Sequence, residues 1–365
     1  MRLEDIALTF VPQLGVRGVV HLLEVFGSAE AVFAASADEL RERGALREDI
    51  ARNIVARRGF AEAERELEYC HRHNITPLAS TDEGYPALLR DIEDYPHILY
   101  VRGSVGALRR RSVAFVGTRK MSAYGDRMCN ELVGSLAEIL PDVVIVSGLA
   151  YGIDGAAHRA AVAAGATTVG VVANPLPHVT PTTNERLAAD IVGRGGAIVS
   201  ELSSQTKQNG RYFIPRNRII AGLAAGVVVV ESPESGGSLS TASFADGYGR
   251  SVMAVPGRAT DENSRGCNIL IRNRKAQAIL SGRDIVAELM WELDLDEIPA
   301  EKREQQPLTS AEEALLAYFG DEPVHIDSLL ERSGMSSGEV SLQLMTLELS
   351  GVIRPLRGGM YEKLK

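Results

Sequence analysis

The stretch DVVIVSGLAYGIDGAAHRAAVAAG, Asp142–Gly165, decides the fold. Val143, Val144, Ile145 and Val146 form an unbroken β-branched run, the composition of a parallel strand covered on both faces. Glycines follow at Gly148, Gly152 and Gly155, and then an alanine-rich segment of helical texture that Asp154 could cap. Working outward, the same unit repeats. SVAFVG, TTVGVVA, GAIVSE, GVVVVES and SVMAVPG are further short apolar runs, separated by helical segments such as YGDRMCNELVGSLAEIL. Over residues 73–292 this alternation predicts an α/β domain on a doubly wound parallel sheet. Its functional loops should lie at the carboxyl ends of the strands.

The flanks read differently. Residues 1–72 carry apolar residues at helical spacing, with Ser28 and Ser36 placed as N-caps and Gly27 and Gly44 as stops. QLGVRGVVHLL resembles a helix-hairpin-helix, so the segment reads as a small all-α domain of that (or SAM-like) type, or as a plain helical bundle used for contacts. Residues 293–307, LDLDEIPAEKREQQP, read as a linker. Residues 308–365 read as three helices and a short hairpin, a winged-helix-like domain.

The formal net charge of −9 excludes a surface that coats nucleic acid everywhere, but it allows one basic groove. Cys70, Cys129 and Cys267 are dispersed and form no CxxC pair, so neither a disulfide framework nor a zinc ribbon is predicted. With no signal-like start and no apolar run of membrane-spanning length, a cytoplasmic location is expected.

Four strand ends could carry chemistry. They are Gly117–Lys120 in FVGTRKMSAYG, the glycines around Gly148, the loop SPESGGSLSTA, and GRYFIPRNRIIAG, Gly210–Gly222. Glycines and helix N-termini let backbone amides approach an oxyanion. No loop is a Walker A or a GxGxxG motif, so neither ATP nor NAD is predicted and no cofactor is expected. Asp154 and His158, four residues apart, would share a helix face as a local structural pair rather than a metal site. No nucleophile, base or metal cluster stands out.

What stands out is charge. Arg109–Arg127 holds six basic residues against Asp126 alone, and Ser203–Ile220 holds Lys207, Arg211, Arg216 and Arg218 with no acid. Arginine's planar fork suits phosphate, and an aromatic among arginines offers a stacking surface for an exposed base. Single strands present that base face and duplexes hide it. The residues therefore predict a groove for single-stranded nucleic acid.

At these motifs the chain resembles the DprA (Smf) family of DNA-processing proteins of bacterial natural transformation. The resemblance runs from about residue 77 to 275 through YPALLRDIEDYPHILYVRG, VAFVGTRKMSAYG, IVSGLAYGIDGAAHRAA, RNRIIAGL, GSLSTA and AVPG. It implies a Rossmann-like core that binds single-stranded DNA without strong sequence preference, protects incoming strands, forms a homodimer and loads the RecA recombinase. Carried over by motif, Arg119 is the phosphate ligand and Phe213 the stacking residue, with Arg216, Asn217, Arg218 and Lys207 beside them. Gly117, Thr118, Lys120, Gly148, Gly237 and Ser238 complete the predicted DNA-binding set. The family's Tyr-Pro after the third core strand is replaced here by Thr180 and Pro181 in ANPLPHVTPTTN, which puts a contact from that loop in doubt.

An enzymatic alternative comes from SPESGGSLSTA, which resembles the PGGxGT loop of cytokinin-activating phosphoribohydrolases. Those enzymes place a glutamate soon after the threonine, whereas Thr241 is followed by Ala242, Ser243 and Phe244. In the last domain, SSGEVSLQLMTLELSG offers no Arg or Lys, so a protein-contact or regulatory role is expected there rather than duplex binding.

Overall fold

The computed structural model describes residues 2–291, 309–320, 323–349, 352–356 and 359–364. The chain forms two compact units divided between residues 292 and 293. The expected linker, 293–307, lies outside the described residues.

The first helices are Leu3–Thr9 (α1), Gly15–Phe26 (α2), Ala29–Ala34 (α3), Ala37–Glu42 (α4), Glu48–Val55 (α5) and Phe60–Arg72 (α6). Local chemistry sets their ends. Ser28 Oγ accepts from the Ala31 amide at 3.1 Å, and Ser36 exchanges bonds with Glu39 in a capping box. Gly27, at φ 84°, ends α2. After α4 the left-handed residue is Ala45, at φ 49°, rather than the expected Gly44.

The sheet strands are Thr76–Ala79 (β1), Ile98–Gly103 (β2), Ser112–Val116 (β3), Val144–Ser147 (β4), Thr167–Val171 (β5), Ala197–Ser200 (β6), Gly226–Val229 (β7), Ser251–Ala254 (β8) and Gln277–Ala278 (β9). Their order is β1-β2-β6-β5-β4-β3-β7-β8-β9. The six apolar runs are β3 to β8, and these pair in parallel. The sheet is not wholly parallel. β2 runs against β6 and β1 against β2, with Pro77 tolerated because β1 is an edge strand.

The covering helices are Ala87–Arg90 (α7), Ala123–Ile139 (α8), Ile153–Ala163 (α9), Glu185–Gly193 (α10), Phe213–Leu223 (α11), Ser238–Gly247 (α12), Arg265–Arg272 (α13) and Gly282–Glu288 (α14). α9 packs with α8 and α10, and α11 with α7 and α12. Alternate residues of β6 enter separate cores, Ile198 in one, Ala197 and Val199 in the other, so both faces of the sheet are covered. The N-terminal helices have no core of their own. Ile6, Leu8, Leu22 and Val32 share one with Ile98, Tyr100 and Ile198. The chain leaves β3 toward β4, β5 and β6, then returns to place β7 on the other side of β3. The carboxyl ends of β3 and β7 therefore flank a topological switch point, where open α/β sheets form a crevice.

The second unit contains Ser310–Leu316 (α15), Val324–His325 (β10), Ile326–Ser333 (α16), Ser337–Leu349 (α17), Ile353–Leu356 (β11) and Met360–Lys363 (β12). It is a winged helix, with Leu315, Leu329, Val340, Leu344, Leu347 and Ile353 in its core.

Candidate nucleic-acid interface

A cavity of about 310 Å³ opens at the switch point. Its back is tied together by main chain and one buried acid. The Thr118 amide donates to Glu231 O at 2.8 Å, locking the loop after β3 to the end of β7. The Glu231 carboxylate accepts from the Ser122 amide at 2.9 Å and from its hydroxyl at 2.5 Å, at the start of α8. A Cβ on Gly125 would collide with that carboxylate. The helix N-terminus that follows the first core strand thus holds an internal anion, and a phosphate there would be repelled.

The floor is polar and buried. Arg216 is 5% exposed, and its Nη1 donates to Gly148 O at 2.7 Å and also to Val171 O. A Cβ on Gly148 would stand 2.5 Å from Asp154 Oδ2 and 2.7 Å from Arg216 Nη2, so only glycine lets these two groups approach. Gly148 is itself buried, with its carbonyl already used. Burial pushes the Asp154 carboxyl up, and Arg216, the Ala150 amide and the Ser147 hydroxyl oppose that rise. Burial pushes the Arg216 guanidinium down to about 10, which leaves it a cation at neutral pH. His158 does not pair with Asp154. Thr168 Oγ1 donates to Ile145 O, so it accepts from His158 Nδ1 at 2.7 Å. Burial holds that imidazole down at about 3. No group of three or more metal-ligating side chains occurs among the described residues.

The rim is where side chains are free. Arg119 and Lys120 are exposed, and the Arg119 guanidinium lies over the Phe213 ring, 5.0 Å from its centre. Phe213 is half-buried on the first turn of α11, and Ile214 beside it is 61% exposed. Asn217 Nδ2 donates to Ser240 Oγ at 2.9 Å, which ties α11 to α12. Gly237 is exposed with open space beside its Cα, whereas Ser238 is buried and gives its hydroxyl to Ser232 Oγ at 2.9 Å. Lys207 is exposed in the loop before α11 and does not line this cavity.

Several predicted contacts are placed elsewhere. Arg218 is 6% exposed on the opposite face of α11, with Nη2 paired to the Glu201 carboxylate and Nε 3.6 Å from Asp94 Oδ2. Arg216 and Arg218 therefore do not form an open basic surface. Acids distant in sequence reach them, which local charge counting does not register. Arg109, Arg110 and Arg111 precede β3 and so stand at the amino ends of the strands; Arg110 Nη1 donates to Thr167 Oγ1 at 2.8 Å. Tyr212 turns away from Phe213, into a separate cavity on the other side of α11, and stacks under Arg211 at 4.9 Å. Sequence reading missed Glu231, Asp94 and Glu201; for Glu231 and Glu201 a charged residue at the end of an otherwise apolar run, as in GVVVVES and GAIVSE, was the available signal, and Asp94, in the loop before β2, had none. In the winged helix, α17 exposes Leu342, Met345 and Glu348 and has no Arg or Lys.

Comparison with known proteins gives a consistent result. The family described as DNA recombination-mediator protein A matches residues 76–290, and the DprA winged helix domain matches residues 299–359. The Smf protein of Escherichia coli is 38% identical over 297 residues, covering 80% of this chain and 78% of that protein. The crystal structure of DNA processing protein A from Streptococcus pneumoniae superposes with a TM-score of 0.69 at 31% identity, covering 79% of this chain and 98% of that one. DNA processing protein A from Helicobacter pylori, described for its single-stranded DNA binding mode, gives 0.53 at 26% identity, covering 60% and 96%.

Proposed function

This chain belongs to the DNA recombination-mediator protein A family, and on that premise we propose that its switch-point crevice binds single-stranded DNA with little sequence preference. The observation that carries the reading is the exposed Arg119 standing over Phe213. A guanidinium beside an aromatic face can take a phosphate while the ring takes the adjoining base. Lys120, Lys207 and the open backbone at Gly237 extend that contact along a strand. Gly117 and Thr118 shape the loop, and Asn217 braces α11 against α12. Arg216, Gly148 and Ser238 act from below, by holding the floor. The Helicobacter pylori relative's single-stranded DNA binding supports the same mode here.

The protein acts by binding rather than by chemistry. In natural transformation it protects the incoming strand and loads the RecA recombinase onto it, as a cytoplasmic homodimer. Leu280 and Met290, exposed within AILSGRDIVAELMWEL, support self-association, and the acidic winged helix suits a protein contact. The deciding experiment titrates single- and double-stranded DNA against the protein at two salt concentrations. Preference for the single strand, weakened by salt, supports the reading, and equal binding of duplex overturns it. Release of free base from nucleoside monophosphates by pure protein would overturn the non-enzymatic part.

A further inference from the structure

A second, larger cavity of about 690 Å³ lies across α11 from the crevice. The turn between α1 and α2, around Phe10 and Val16, forms one wall. The other is built by the start of β2, the loop after β6, and the Tyr212, Pro215 and Arg218 face of α11. Residues three apart along α11 share this face, while Phe213, Arg216 and Ile220 line the crevice. The single turn carrying Tyr212 and Phe213 therefore separates two cavities at one edge of the sheet.

This cavity collects unsatisfied polar atoms. Five buried side-chain polar atoms among the described residues have no hydrogen-bond partner, and three belong to its wall: His97 Nε2, Tyr100 Oη and Arg218 Nη1. His97 Nε2 is accounted for by Asp5 Oδ1 at 3.3 Å. Tyr100 Oη and Arg218 Nη1 remain. Both atoms lie just beneath the wall, with almost no accessible surface; a buried polar group left unpaired is costly, more so when charged, so a ligand edge that displaces the overlying side chains and pairs with them is favoured.

The walls also select the ligand. Asp94 and Glu201 stand beside Arg218, so a phosphate entering here would face two carboxylates. A neutral flat ring with donors and acceptors on its edge would not. Tyr212 offers an aromatic face held in place by Arg211, whose Nη2 donates to Tyr212 Oη at 2.9 Å. Ser203 and Thr206 add hydroxyls to the wall. We propose that this cavity receives a nucleobase, so that a strand held at Phe213 crosses the first turn of α11 and places a further base beside Tyr212. The inference rests on the proposed single-strand binding and adds a second base site to it.

The test uses the full chain and thymine-rich oligonucleotides carrying one iodouracil at successive positions, irradiated and mapped by mass spectrometry. The expected result is two sets of crosslinks from different strand positions, one at Phe213 and one at Tyr212 or within Phe10–Val19. Val16→Trp, at the exposed mouth, should reduce the second set about tenfold and leave the first, the loss of one stacked base. Its thermal unfolding is measured alongside, and Tyr212→Phe, which keeps the ring, should retain the second set. Saturation-transfer NMR with free thymidine forms the other arm: binding blocked by Val16→Trp without strand crosslinks would support the base site with a free nucleoside as its source. Crosslinks at Phe213 alone, with no thymidine binding, would overturn the second site and leave the proposed function standing. Absence of crosslinks at both places would count against the proposed function itself.

Discussion

The Arg119 guanidinium lies 5.0 Å from the centre of the Phe213 ring, although 93 residues of chain separate their loops (213 minus 119, less one). The exposed cation and the half-buried ring meet at the switch point because α11, the crossover from β6 to β7, packs across β3. The pair divides its roles by chemistry. Arg119→Ala should weaken single-strand binding and lower the slope of log affinity against log salt by about 0.7, the share of one phosphate contact on a single strand. Phe213→Ala should weaken binding by roughly 1–3 kcal/mol with the slope unchanged, because stacking releases no counterions. Fluorescence anisotropy at a series of salt concentrations reads both; parental behaviour in both variants would rule the crevice out.

Arg218 should matter for stability. Its guanidinium joins Asp94 and Glu201 across three segments of the fold. Arg218→Met leaves two carboxylates facing each other and should cost about 3 kcal/mol in urea denaturation, the lower end for breaking a buried ion pair. Adding Glu201→Gln should recover part of that loss. Once folded, the single variant should keep the parental salt slope for DNA; a reduced slope would put Arg218 on the strand after all.

The pH dependence of folding has a sign fixed by His158. Burial holds its imidazole at about 3 against an ordinary 6.5. Below pH 6.5 the unfolded chain takes a proton that the folded chain refuses. The contribution of His158 is therefore complete above 6.5 and lost as pH falls toward 3, by up to about 1.4 kcal/mol per pH unit. Asp154 is shifted up by burial, which is the opposite sense for a carboxylate, so the total curve mixes the two. Denaturation of the parent and of His158→Gln across this range isolates the histidine: the variant should lose a steepness of about one proton.

The three cysteines should be silent in the native state. Cys70, Cys129 and Cys267 are all buried, and burial pushes each thiol up to about 12. A thiol reagent such as dithiobis-nitrobenzoate should label none of them at neutral pH and all three in denaturant. Fast native labelling would show that one of these thiols is accessible.

The repeating strand-and-helix texture, the positions of β3 to β8, and the caps at Ser28 and Ser36 were legible in the amino-acid sequence, and its motifs singled out Arg119 and Phe213, which the fold brings together. Each depends on residues close together along the chain: β-branched runs, side-chain caps and motif spacing. The antiparallel β1 and β2 were not legible, because pairing partners are chosen across the sheet. Nor was the fate of GRYFIPRNRIIAG. Its arginines have no acid within the segment, yet Arg218 meets Asp94 and Glu201, and Arg216 bonds Gly148 and Val171 beside Asp154. Helical geometry separates Tyr212, Pro215 and Arg218 from Phe213, Arg216 and Ile220, but what each face meets is set by loops distant in sequence. The sequence by itself determined which side chains gather at the first turn of α11. Tertiary structure alone decided which of them stay in water, because burial and charge pairing act through space.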